Sequence, residues 1–77
     1  MKVKCVVAAI NSNGSPDLFL VQVECTHDEF NDGLHYDKAI NLAELEGYEP
    51  KLVIDEHDDG FDLINTEVID WDGAPEV

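Results

Sequence analysis

From Val3 to Ala9 the chain alternates, with Val3, Cys5, Val7 and Ala9 falling on one side of a pleated strand and Lys2, Lys4, Val6 and Ala8 on the other. This period of two predicts a strand over residues 2–10 with one face buried and the other partly covered. The next seven residues, Asn11-Ser12-Asn13-Gly14-Ser15-Pro16-Asp17, are nearly all turn formers. Asn and Asp bond nearby backbone, Gly accepts left-handed dihedrals and Pro fixes φ, so the segment predicts an exposed hairpin loop. Leu18 to Cys25 resumes the alternation, with Phe19, Val21, Val23 and Cys25 inward and Gln22 and Glu24 outward. Antiparallel pairing of the two strands is the short-loop solution.

The period then changes. Thr26-His27-Asp28-Glu29 has the Thr-x-x-Glu spacing of a capping box, and Cys25 and Phe30 stand at the offsets of a hydrophobic staple. With Asp28 and Glu29 favourably placed at the positive end of a helix dipole, a helix starts here with Thr26 as its N-cap. Gly33 weakens that helix by roughly 1 kcal/mol relative to Ala, which predicts a first turn, a break near 31–34 and a main helix over about 35–46. Tyr36, Ala39, Ile40 and Ala43 recur at helical spacing and form its expected buried stripe. Gly47, Tyr48 and Pro50 then predict a firm stop.

Leu52, Val53 and Ile54 give a third strand, ending at the acidic turn Asp55-Glu56-His57-Asp58-Asp59-Gly60. Apolar residues recur at Phe61, Leu63, Ile64, Val68, Ile69 and Trp71, so a fourth strand is expected around 67–71, followed by a frayed tail at 72–77. The predicted fold is α+β, a small antiparallel sheet with one helix packed on it, in the order β-β-α-β-(β). All 77 residues form one expected domain.

Composition changes this picture in one respect. Eighteen residues are Asp or Glu, four are Lys and none is Arg, for a net charge of -14. So large a charge exceeds what solubility requires and points to a basic partner. Direct binding of nucleic acid is disfavoured because phosphate neutralisation needs cations, and an anionic membrane surface would repel the chain. No apolar stretch reaches the length of a membrane span and the first residues lack the order of a signal peptide, so a cytoplasmic protein is expected. Cys5 and Cys25 lie within apolar strands and are read as reduced core residues.

No catalytic motif competes with the charge, and the chain is read as a non-enzyme without a cofactor. Asp55, His57, Asp59 and Gly60 echo the opening of a calcium loop, but Thr66 stands where the bidentate Glu belongs and His57 replaces an oxygen ligand. His27, His35 and His57 lack the spacing of a zinc site. No Gly-rich phosphate loop or nucleophile elbow is present.

Nine of the eighteen acids fall between Asp55 and Glu76, a stretch without Lys or Arg. Spread evenly over a globule of roughly 15 Å radius, eighteen carboxylates would stand about 12 Å apart and be largely screened at physiological salt. Clustering avoids that screening. Asp55, Glu56, Asp58, Asp59, Asp62, Glu67, Asp70 and Asp72 are therefore the expected partner-binding face. In size, charge and compact α+β pattern, with no motif to align and no residue to transfer, the chain resembles the small acidic inhibitors that phages and mobile elements direct against host nucleases. Anti-CRISPR proteins and uracil-DNA glycosylase inhibitors are of this kind. The resemblance implies DNA mimicry inside a bacterial host, with Asp and Glu filling the basic groove of a nuclease or CRISPR-type complex. Two alternatives stand beside it: an interaction module anchored by an apolar patch around Trp71, Phe61 or the outward Leu18 and Leu20, and a weak calcium-binding protein. Oligomeric state stays open.

Overall fold

The computed structural model describes residues 1–61 together with Pro75 and Glu76. Three strands and two helices follow one another as β1 (Lys2–Ile10), β2 (Pro16–Glu24), α1 (His27–Asn31), α2 (Leu34–Leu45) and β3 (Glu49–Asp55). The sheet order is β2-β1-β3, with β1 antiparallel to both neighbours. β2 and β3 therefore run parallel to each other with β1 between them, a relation that requires a long crossover, and the two helices supply it. The α+β class, the small antiparallel sheet and its helical layer agree with the sequence pattern. The helical layer is two helices rather than one, and the fourth strand expected at 67–71 lies outside the described residues.

β1 occupies the centre because it is apolar on both sides. Val3, Cys5 and Val7 are fully buried toward the helices, and the outward Val6 is only 2% exposed. The register sets Val3 opposite Val23, Cys5 opposite Val21 and Val7 opposite Phe19, so the inward set of β2 meets the inward set of β1. In the hairpin loop, Asn11 Oδ1 accepts from the N–H groups of Asn13 (2.9 Å) and Ser15 (3.1 Å), while Gly14 takes a φ of 81°.

The capping box forms as the spacing predicts. Thr26 Oγ1 accepts from the Glu29 N–H at 3.1 Å, and Glu29 Oε1 accepts from the Thr26 N–H at 2.9 Å. Both side chains thus satisfy backbone donors that have no partner within the helix. Cys25 lies in the core and Phe30 packs against it. Gly33 breaks the helix as expected, at a φ of 77° that a residue with a Cβ rarely adopts.

α2 lies across all three strands. Its buried residues are His35, Ala39 and Ala43, whereas Tyr36 and Ile40, expected in the stripe, are half-buried. Each helical residue advances about 100° around the axis, so the buried face is turned toward His35 by roughly one position. The cause is polar, because Asp55 on the sheet binds His35. The two alanines let the helix backbone approach the sheet closely. Tyr48 N–H bonds Ala43 O and Gly47 N–H bonds Glu44 O, both at 3.0 Å, which is a Schellman closure on Gly47 at φ 90°.

Of the tail, only Pro75 and Glu76 are described: Pro75 O accepts from the Gln22 N–H at 2.9 Å, and Glu76 meets Lys2 Nζ at 2.8 Å. An edge strand presents unpaired backbone donors, and these two residues cover one of them. Among the described residues β3 is the opposite edge, and it carries Pro50, Lys51 and a register shift against Ala8 and Ala9 of β1.

Candidate acidic interaction surface

The acidic turn after β3 is where sequence and structure diverge most. Asp55, expected on a partner-binding face, is 3% exposed and sits inside the molecule. Its Oδ2 lies 2.6 Å from His35 Nε2, and its Oδ1 accepts from the His57 N–H at 2.8 Å. Burial works to raise the Asp55 carboxyl, but the bonds from His35, from the His57 backbone and from the nearby Tyr36 outweigh it and hold the group below its ordinary value. A carboxylate so enclosed cannot meet a partner.

Asp58 is also engaged internally. Its Oδ2 accepts from the Tyr36 hydroxyl at 2.9 Å and from the Asp55 N–H at 2.8 Å, closing the turn onto the start of α2. Burial and this carboxylate together push the Tyr36 hydroxyl well above its ordinary value. Glu56 is half-buried with Oε1 3.4 Å from the Lys4 N–H, and Asp59 is exposed. Asp62, Glu67, Asp70 and Asp72 lie outside the described residues.

The His57 and Phe30 rings meet nearly at right angles at a centroid distance of 5.3 Å, which brings the turn and α1 to one corner of the molecule. Asp28, Asp32 and Asp37 are exposed on α1, on its C-cap and in the first turn of α2, and Glu44 and Glu46 are exposed at the far end of α2. Among the described residues, the ion pairs of Lys2, Lys38 and Lys51 go elsewhere. Lys2 pairs with Glu76, Lys38 with Glu29 and Lys51 with Glu49, at 2.8, 3.1 and 2.9 Å. Among the described residues, no ion pair reaches Asp28, Asp32, Asp37, Glu44, Glu46 or Asp59. Residues 27–46 carry six acids against Lys38 alone, so the helical layer has a formal charge of -5 with neutral His.

The sequence signal for this layer was present in the helical polar positions, since Asp28 and Asp32 stand four apart where side chains are neighbours. Linear acidic density is instead highest in the turn. The buried role of His35 was legible only in its i, i+4, i+8 relation to Ala39 and Ala43.

The outward face of the sheet has a different chemistry. Leu52 is 63% and Leu18 48% exposed, flanking Ala8 in the register. Beside them a shallow hollow of about 340 Å³ is lined by Ala8, Ala9, Ile10, Pro16, Asp17, Leu18 and Lys51. Leu20 is half-buried and Phe61 buried, so of the apolar anchors expected from sequence only Leu18 is well exposed, while Trp71 is outside the described residues.

Cys5 and Cys25 are free thiols in the core, and burial beside Asp55 pushes the Cys5 thiol up to about 12. Among the described residues no group of three or more His, Cys, Asp or Glu side chains is placed to hold a metal ion, and no helix is long and apolar enough to cross a membrane. Protein-family models, curated proteins and solved structures offer no match to this chain.

Proposed function

We propose that this chain is an acidic protein-binding inhibitor that enters the basic nucleic-acid groove of a nuclease-like protein, its carboxylates standing in for phosphates. The observation that carries the reading is the set of exposed carboxylates with no ion pair among the described residues, Asp28, Asp32, Asp37, Glu44, Glu46 and Asp59, in a chain of net charge -14. Uncompensated like charges held on one layer repel each other and lower stability, a cost that a basic partner removes. Acids about four residues apart on a helix stand roughly 6 Å from one another, inside the screening length, so they act on a partner together. Such a field steers encounter and speeds association more than it tightens the final complex.

The test is competition. The immobilised protein is exposed to a bacterial lysate at low and high salt, and each captured protein is titrated with duplex DNA in a fluorescence anisotropy assay. The expected outcome is a captured nucleic-acid-binding protein that DNA and this chain occupy exclusively, with an affinity falling steeply as salt rises. Simultaneous binding of DNA and this chain would refute the mimicry.

The exposed Leu18 and Leu52 favour a second reading, in which the outward sheet face anchors a partner and the acids only guide approach. That reading predicts an affinity nearly independent of salt and lost in Leu52→Ser. Charge variants of the helical layer would then change the affinity little, through a modestly slower association.

A further inference from the structure

The chain has five asparagines, and only Asn13 is followed by glycine. That step has a chemistry of its own. The backbone nitrogen after an asparagine can attack the side-chain carbonyl carbon, and glycine shields its nitrogen least because it has no Cβ. Asn13 is exposed, no hydrogen bond reaches its side chain among the described residues, and the space where a Cβ of Gly14 would stand is open. Asn31 and Asn41 lie in the helices, and Asn65 lies outside the described residues. In the folded hairpin, however, the nitrogen is engaged. Gly14 N–H donates to Asn11 O at 2.9 Å, while Asn11 Oδ1 accepts from the N–H groups of Asn13 at 2.9 Å and Ser15 at 3.1 Å. Asn11 N–H donates to Ser15 O at 2.9 Å. One residue thus fixes the backbone on both sides of the Asn13-Gly14 peptide.

We propose that Asn13-Gly14 is a latent deamidation site, and that Asn11 is the residue that keeps it closed in the folded chain.

The reaction needs the loop open. Attack requires the Gly14 nitrogen to give up its proton, and with it the bond to Asn11 O, and to turn toward Asn13 Cγ, which the bonds of Asn11 Oδ1 to either side oppose. Once the loop opens, hydroxide takes the Gly14 amide proton and the nitrogen bonds to Asn13 Cγ. The Cγ–Nδ2 bond then breaks, and the amide nitrogen leaves as ammonia after taking a proton from water. Water adds to either carbonyl of the resulting succinimide ring, giving an aspartate or an isoaspartate at position 13. Overall one water is consumed, one ammonia is released and one carboxylate is gained. The isoaspartate carries the main chain through the side-chain methylene, so the spacing on which the Asn11 bonds depend is lost. A chain that has spent time unfolded therefore keeps the mark after refolding. Because reaction proceeds from the open loop, its rate follows the population of that state. The inference stands on this loop and does not depend on the proposed function.

The test is peptide mapping by mass spectrometry of the whole protein incubated at mildly alkaline pH, native and in urea, with hydrogen exchange of the Gly14 amide read on the native chain. In urea, Asn13 is expected to deamidate before the other four asparagines. In the native chain the same site should react at least about tenfold more slowly, and the Gly14 amide should be protected from exchange. Asn11→Ala removes the acceptor of two loop bonds, so native deamidation should rise about tenfold or more. Asn11→Asp keeps an oxygen acceptor there and should stay as slow as the parent. Equal rates at Asn13 in native and unfolded parent would overturn the proposal, as would earlier reaction of another asparagine in urea. A Gly14 amide that exchanges as freely as in the unfolded chain, or an Asn11→Ala variant that folds and reacts no faster than the parent, would also overturn it. All but the variant measurements use the unaltered protein, so the proposal is decided even if Asn11→Ala does not fold.

Discussion

The acids of the turn and the acids of the helical layer have the same chemistry and opposite roles. Asp55 and Asp58 accept hydrogen bonds from His35, Tyr36 and backbone N–H groups, so their charge is enclosed and structural. Asp28, Asp32, Asp37 and Glu44 face solvent with no ion pair among the described residues, so their charge is free to act at a distance. The difference teaches that density of carboxylates along a sequence does not measure negative surface. A carboxylate beside a buried donor is consumed by the fold, and one on the polar side of a helix is not.

Substitution separates the two sets by sign as well as size. Removing Asp55 leaves a buried His35 without its partner, so Asp55→Ala is expected to lower stability by about 3 kcal/mol in urea unfolding. A loss no larger than that of an exposed acid would break the contrast.

Proton linkage gives a second separation. The Asp55 carboxyl lies below its unfolded value of 3.8, so the stability it contributes is present above that pH and is lost as pH falls through its lower folded value. Cys5 has the opposite course. Its thiol ionises at about 12 in the fold against 9.0 ordinarily, so its contribution is full below pH 9 and disappears as pH rises toward 12. Unfolding curves collected across both ranges check each sign: Cys5→Ala should remove the alkaline limb, while Asp55→Asn should remove the acid limb and also shrink the alkaline one, because the Asp55 charge helps to raise the Cys5 thiol.

Thr26→Ala removes the side-chain acceptor of the capping box and is expected to cost about 1 kcal/mol, read as a lower urea midpoint with an unchanged slope. The smallest effect on stability belongs to the helical acids. Each of Asp28→Asn, Asp32→Asn, Asp37→Asn and Glu44→Gln should fall within about 0.5 kcal/mol of the parent, and the combined variant should be as stable or slightly more stable because self-repulsion is relieved. A marked loss would place these carboxylates with Asp55 among the structural ones.

Much of this was legible in local pattern. The alternation of Val3, Cys5, Val7 and Ala9 with their partners in β2, the capping box at Thr26 and Glu29, the break at Gly33 and the stop at Gly47 each express a short-range rule, and short-range rules can be read from neighbouring residues. The role of Asp55 could not be read in that way, because its partner His35 is twenty residues away and the pairing exists only once α2 crosses the sheet. The same crossover turned the buried stripe from Tyr36 and Ile40 to His35. Exposure of the helical acids was implicit in amphipathicity, although linear charge density is highest in the turn. Lysine pairing was hidden, since Lys38 reaches Glu29 across the break between the helices.

The account rests on the helical layer carrying the interaction, and the salt dependence of partner affinity in the Asp28→Asn, Asp32→Asn, Asp37→Asn, Glu44→Gln variant tests it most directly. Against a partner that DNA displaces, the variant should bind about tenfold or more weakly at low salt, mainly through slower association, and its affinity should fall less steeply as salt is raised. The companion variant neutralised at Asp62, Glu67, Asp70 and Asp72 serves as the comparison. Parent-like affinity and salt slope in the helical variant, with the loss appearing in the companion instead, would contradict the account.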